Sequence, residues 1–250
     1  MTITEAAKRN HEQLFPGHVS TLAVTDPELV ERFDNWAFDE VQDAAPLDLH
    51  LRLMVQLAAL IACHAADEYR VMLGAALDVG VTPVVAKEIL YQAVPYVGMG
   101  RAFDFLHATN DVLRERNIAL PLPGQATTDG GNRFERGREA QTRIFGERIE
   151  QMAAQAPQDQ AHIQRFLAAN CFGDFYTRGG LDLATRELLT FAMLAALGGC
   201  EPQLAGHVAG NVAMGNPRPL LVAVLTQLLP FIGYPRTLNA LRVVNENTSA

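Results

Sequence analysis

Cysteine is scarce. Cys63, Cys171 and Cys200 are spread over 250 residues with no C-x-x-C among them, which argues against a disulfide framework and a thiolate zinc site. The seven histidines are also scattered, without H-E-x-x-H or a paired helical spacing, so no metal is expected. No run reaches the roughly eighteen uncharged apolar residues of a membrane span, and MTITEAAKRNHEQLF has no apolar stretch behind a basic start. A soluble, cytoplasmic protein with no membrane partner is expected. Positive charge is limited: the net charge is −8, and the densest basic stretch, RFERGREAQTR, is interleaved with Glu135 and Glu139. Such a surface repels a phosphate backbone, so nucleic acid is not an expected partner. With 49% apolar and 19% charged residues, the chain can bury a sizeable core.

What the sequence does contain is itself, twice. YQAVPYVGMGRAFDFLHATN (91–110) aligns with TQLLPFIGYPRTLNALRVVN (226–245), pairing Gln92 with Gln227, Pro95 with Pro230, Gly98 with Gly233, Arg101 with Arg236 and Asn110 with Asn245 at a shift of 135. LDLHLR (47–52) matches LDLATR (181–186) at a shift of 134. Each copy has apolar residues at i, i+3, i+4 and i+7, rich in alanine and leucine, and no alternating strand pattern competes. An all-α tandem duplication follows. Helix ends are expected at Gly80, before Pro83, near Pro95, at Gly198–Gly199 and near Gly215–Pro217. The Pro- and Gly-rich stretch IALPLPGQATTDGGN (118–132) reads as a connector, giving a first repeat at 1–118, a linker at 119–132 and a second repeat at 133–250.

Duplication supplies an internal control. Groups in both copies are candidates for fold; groups in one are candidates for something extra. Asp174, Tyr176, Arg178 and Glu187 stand where the first copy has Glu40, Gln42, Ala44 and Leu53, and His207 falls on Met72 or Leu73. The first copy therefore lacks the Arg, the Glu and the His together, as one pocket kept by one half would require; drift on an exposed surface is the plainer alternative. With Pro202 in the first turn of a helix, Gln203 and His207 are i, i+4 and Cys200 lies at the N-terminus, so one stripe is expected to carry all three. A helix N-terminus lowers a thiol's pKa, which would make Cys200 reactive, although a lone cysteine is more often a small buried hydrophobe. Glu187 can face His207 across the Gly198–Gly199 turn if the hairpin is antiparallel, and a carboxylate beside an imidazole orients the ring.

RELLTFAMLAALGGCEPQLAGHVAGNVAMGN, followed by LPFIGYPRTLNAL, resembles the carboxymuconolactone decarboxylase family. Arg186-Glu187, His207 with Gly215, and Pro230-Phe231-Ile232-Gly233 carry the likeness, and EYRVMLGAALDVGVTPVVAKEILYQAVPYVGM repeats the pattern without the histidine. The likeness covers most of the chain. It implies the AhpD-like all-α fold and a ring of subunits, with a trimer of two-copy chains favoured over a dimer.

The same resemblance implies cofactor-free decarboxylation of a small-molecule substrate, a carboxylated unsaturated lactone or related keto acid. Departing CO₂ leaves electrons that delocalise onto the lactone carbonyl, and the dienolate then needs a proton. His207 supported by Glu187 would supply it, with Cys200 nearby and Gln203 lining the site. Two assignments come from residue chemistry rather than from the family: Arg178 gripping a carboxylate and Tyr176 donating to the carbonyl oxygen. The peroxidase branch carries C-x-x-C where this chain has Cys200 and Gln203, so disulfide cycling lacks its second sulfur. Two other readings are an alkylhydroperoxidase-like antioxidant using Cys200 alone, and a non-enzymatic oligomeric accessory protein whose polar set knits an interface.

Overall fold

The computed structural model describes residues 2–249 and is helical, with no strand among the described residues. Each half opens with a helix, α1 (Glu5–Leu14) in the first and, further along the chain, its counterpart before residue 146 in the second. After α2 (Leu22–Thr25), α3 (Pro27–Asn35) runs into a π-helical segment, Trp36–Glu40, and the short α4 (Val41–Ala44). Then come α5 (Leu49–Cys63), α6 (Ala66–Asp78), α7 (Pro83–Val97) and α8 (Met99–Glu115). The second half repeats this order: α9 (Arg133–Phe145), α10 (Arg148–Gln155), a 3₁₀ turn at Gln158–Gln160, α11 (Ala161–Phe166), a longer π-helical segment at Leu167–Tyr176, α12 (Leu183–Leu197), α13 (Glu201–Ala213) and α14 (Arg218–Asn247). No helix crosses residues 118–128.

The duplication explains the local structure. In both LDL stretches the aspartate is the N-cap: Asp48 accepts from the Leu51 N–H at 3.0 Å, and Asp182 from the Thr185 N–H at 2.7 Å. Gly98 ends α7 at φ +79°, and Gly233 breaks α14 at φ +76°, so α14 is two helices matching α7 and α8. Only glycine enters this conformation without strain. α7 ends near Pro95, as the sequence leads us to expect, running on to Val97 with Gly98 as its cap. A proline so near the end has a helical φ and forfeits only one hydrogen bond. By length and hydropathy α14 passes for a membrane-spanning helix, but Leu221, Val224, Leu225 and Leu228 lie in the protein core.

The two halves do not have separate centres. α5 and α12 are apolar on nearly every side and pack against each other, each also touching α7 and α14. Leu53, Leu57, Ile61, Leu189, Phe191 and Leu225 belong to one continuous core. A smaller core joins Ile144 of α9 to Cys171, Phe172 and Tyr176 of the second π-helical segment. Here the backbones nearly touch: a Cβ on Gly173 would lie 2.0 Å from the Arg133 carbonyl, and one on Gly137 1.9 Å from that of Ala168. That approach seats Tyr176 above α12.

Candidate functional site

Glu187 is fully buried on α12, and His207 on α13 is nearly so. The antiparallel hairpin sets His207 Nδ1 2.9 Å from Glu187 Oε2. The other carboxylate oxygen accepts from the Tyr176 hydroxyl at 2.7 Å. Tyr176 Oη lies 2.9 Å from Thr190 Oγ1 and 2.8 Å from Tyr96 Oη, and Tyr96 Oη is 3.4 Å from His207 Nε2. A phenol donates once. With the Tyr176 proton on Glu187, Tyr96 donates to Tyr176 and keeps its lone pairs for the Cys171 thiol, 3.9 Å away, and for His207 Nε2. Both ring nitrogens then face oxygen acceptors, Glu187 Oε2 at Nδ1 and Tyr96 Oη at Nε2.

Burial protects these protons. It pushes the Tyr176 hydroxyl well above its usual range, and the Glu187 charge adds to the shift. Tyr96 moves the same way through burial, Cys171 and Glu187. The Cys171 thiol rises to about 12, chiefly through burial. The rings of Phe145 and Tyr96 meet His207 edge-on at 5.4 and 5.5 Å. Gly210, one turn along α13, leaves room for the carboxylate: a Cβ there would stand 2.6 Å from Glu187 Oε2 and 2.9 Å from Phe145.

From Thr190 the network continues through buried groups. Gln92 Nε2 donates to Thr190 Oγ1 at 3.2 Å, and Arg186 Nη1 donates to Gln92 Oε1 at 3.0 Å. Arg186 Nη2 reaches Glu88 Oε2 at 2.9 Å and the carbonyl oxygens of Arg178 and Gly179. Glu88 also receives Arg178, through Nε at 3.0 Å and Nη2 at 2.9 Å. Burial lowers the Arg186 pKa, and Glu88 opposes that shift. In the first half the carbonyls of Val41 and Ala45 are satisfied instead by Gln227, at 3.2 and 2.7 Å. Both copies cap the end of this segment with a buried side chain, but with different ones.

Of the residues singled out from sequence, the structure brings together Glu187, His207 and Tyr176. Arg178 is bound to Glu88 and connects to the dyad through Arg186, Gln92, Thr190 and Tyr176. Cys200 and Gln203 do not join His207 on one stripe. α13 turns Leu204, His207, Val208 and Asn211 inward, and Gln203, about 100° away from Leu204 on the helix, is exposed. Cys200 is the N-cap residue, but its thiol turns onto the Leu194 carbonyl at 3.4 Å. Burial and Glu201 push its pKa up, opposite to the lowering expected of a helix N-terminus. The described residues hold no cluster of three or more His, Cys, Asp or Glu placed to bind a metal.

Sequence reasoning missed Glu88, Gln92 and Tyr96 on α7, which come from the first repeat, and Cys171 and Thr190. A signal was present: at the same shifts Glu88 stands opposite Ala223, Tyr96 opposite Phe231, Cys171 opposite Ala37 and Thr190 opposite Gln56. In the mirror location Leu53 and Met72, the counterparts of Glu187 and His207, are packed in the core.

Comparison with known proteins agrees with this architecture. The model of the carboxymuconolactone decarboxylase family matches residues 27–111 and again 161–246, so each match begins at the helix leading into a π-helical segment. A 4-carboxymuconolactone decarboxylase from Acinetobacter baylyi is 27% identical over 115 residues, which span 46% of this chain and 85% of the relative. Two matched segments, a helix order that recurs in each half and a single shared core together make this chain a tandem, two-copy member of the carboxymuconolactone decarboxylase family.

Proposed function

We propose that the chain is a cofactor-free carboxy-lyase acting on a carboxylated unsaturated lactone or a related keto acid, with His207 as the proton donor. The observation that carries this reading is the His207–Glu187 pair, with Tyr176 on the second carboxylate oxygen and Tyr96 over the free ring nitrogen. Glu187 anchors Nδ1–H and leaves Nε2–H as the transferable proton. The bond to the departing carboxylate breaks, and its electron pair passes through the double bond onto the lactone carbonyl as CO₂ leaves. Nε2 then protonates the dienolate at carbon, and water returns a proton to the ring. Tyr96, at a longer distance from Nε2 than its neighbours in the network, is the group a substrate displaces; with the Tyr176 proton committed to Glu187, the Tyr96 hydroxyl is the donor for the carbonyl oxygen. The activity named for the 27%-identical relative supports the substrate class.

The test is CO₂ release from a panel of carboxylated lactones and β-keto acids. His207→Ala and Glu187→Gln should each lower kcat by about 10²–10⁴-fold with helical content unchanged. Cys200→Ser should stay close to wild type, since its thiol is held protonated against Leu194. Peroxide reduction that depends on Cys200 and ignores His207 would replace this reading with the antioxidant one. Loss of assembly without any loss of turnover in the His207 and Glu187 variants would replace it with the accessory role. Assembly as a homo-oligomer, a trimer first, is part of the proposal and is checked by light scattering at micromolar concentration.

A further inference from the structure

On the far side of Arg178 from the dyad lies a cleft of about 530 Å³ between α7, α8 and the connector after Leu120. Its charge does not balance. Arg178 and Arg186 share one carboxylate, Glu88, which leaves one positive charge over. Lys87 adds another: it is only 8% exposed, and its ammonium donates to a neutral partner, Asn110 Oδ1, at 2.5 Å. At the rim Arg114 shares Asp111 with Arg70. Among the described residues lining the cleft Glu88 is the sole acid, against Lys87, Arg114 and Arg178. An ammonium partly withdrawn from solvent and held by a neutral partner instead of a counter-ion is costly, and burial together with Arg114 lowers the Lys87 pKa. The chain has only two lysines, Lys8 and Lys87, and carries a net charge of −8, so a cationic cleft is not a by-product of basic composition.

Geometry gives this charge a ligand-like frame. Lys87 Nζ and the Arg178 guanidinium lie over the same Tyr91 ring, at 6.0 and 5.0 Å from its centre. Arg178 engages Glu88 through Nε and Nη2, which leaves Nη1 for a ligand. Phe103, Leu106, Leu120 and Pro121 form an apolar wall opposite. The internal control agrees: at a shift of 134 or 135, Lys87, Glu88 and Arg178 become Val222, Ala223 and Ala44. Asn245, the counterpart of Asn110, is taken by Arg218 at 2.7 Å. The mirror location thus lacks all three charges.

We propose that this cleft is a second binding site, distinct from the dyad, for a small organic carboxylate, with the carboxylate between Lys87 and Arg178 and an apolar ring against Phe103 and Leu106. The probe is benzoate, with benzamide as the neutral isostere and inorganic phosphate as the bare anion, titrated calorimetrically into the full chain. Wild type should bind benzoate saturably, with benzamide and phosphate each at least about tenfold weaker. Lys87→Met should weaken benzoate by about tenfold or more, whereas His207→Ala should leave it unchanged, which keeps this result separate from the fate of the decarboxylase reading. Phe103→Asp, at an exposed position on the wall, should weaken benzoate similarly and gives a readout should Lys87→Met not fold. No benzoate binding by wild type, undiminished binding in Lys87→Met or Phe103→Asp, loss in His207→Ala, or phosphate as tight as benzoate would each overturn the proposal.

Discussion

Glu187 has no route to solvent, so each of its oxygens depends on a named donor, His207 Nδ1 on one and Tyr176 on the other. Tyr176→Phe removes one donor and leaves a buried carboxylate oxygen short of a partner. We expect a loss of about 1–3 kcal/mol in urea unfolding, along with reduced turnover. Cys171 leads to a pH prediction. Its folded pKa, raised to about 12 from an ordinary 9.0, means the thiol favours the fold while protonated. That contribution is complete below pH 9 and is lost as pH rises from about 9 toward 12. Unfolding free energies at pH 8 and pH 10.5 should therefore differ less in Cys171→Ala than in wild type. The buried tyrosines act in the same direction, above pH 10.

At the scale of elements, the crossing of α9 on the second π-helical segment decides where Tyr176 sits. Wider i→i+5 winding there adds residues per turn and carries Phe172 and Tyr176 onto the face that meets α9 and α12. The crossing needs both glycines. Gly173→Ala would place a methyl against the Arg133 carbonyl, backbone against backbone, with no flexible side chain to yield. A loss of about 3 kcal/mol, at the upper end for overpacking, is expected in thermal unfolding. Gly210→Ala differs, because its methyl meets the Glu187 carboxylate and the Phe145 ring. It should disturb the carboxylate and depress turnover more than stability, and comparing kcat with Tm across the two variants separates these cases.

At the scale of the whole molecule, the two halves complete one another. α12 needs α5 and α7 to cover its apolar sides, and α7 completes the network around the dyad, with Tyr96 against Tyr176 and His207 and Gln92 donating to Thr190. The segment 133–250 expressed alone should therefore give weak far-UV circular dichroism and aggregate. Co-expression with residues 1–132 should restore both the helical signal and, if the proposed chemistry holds, turnover. A folded, monomeric second half would contradict the shared core.

The helical class, the duplication with its registers and the Glu187–His207 pairing were legible in the amino-acid order. Helix periodicity, aspartate caps and glycine stops are local, and one copy can be compared with the other without coordinates. A hairpin across Gly198–Gly199 constrains Glu187 and His207 so tightly that their meeting follows from connectivity. Cys200 and Gln203 were misplaced because i, i+4 spacing does not say which stripe of α13 faces inward. That is settled by Leu204 and Val208 packing into the core, which leaves Gln203 in solvent and turns Cys200 onto Leu194. Arg178 was legible as special but not as a partner of Glu88, ninety residues away in the other repeat. Tertiary structure alone decided that α7 of the first copy supplies Glu88, Gln92 and Tyr96 to a site whose dyad belongs to the second. The physical reason is that α5 and α12 bury their apolar surfaces against each other, which brings each half's α7-type helix beside the other half's central helix.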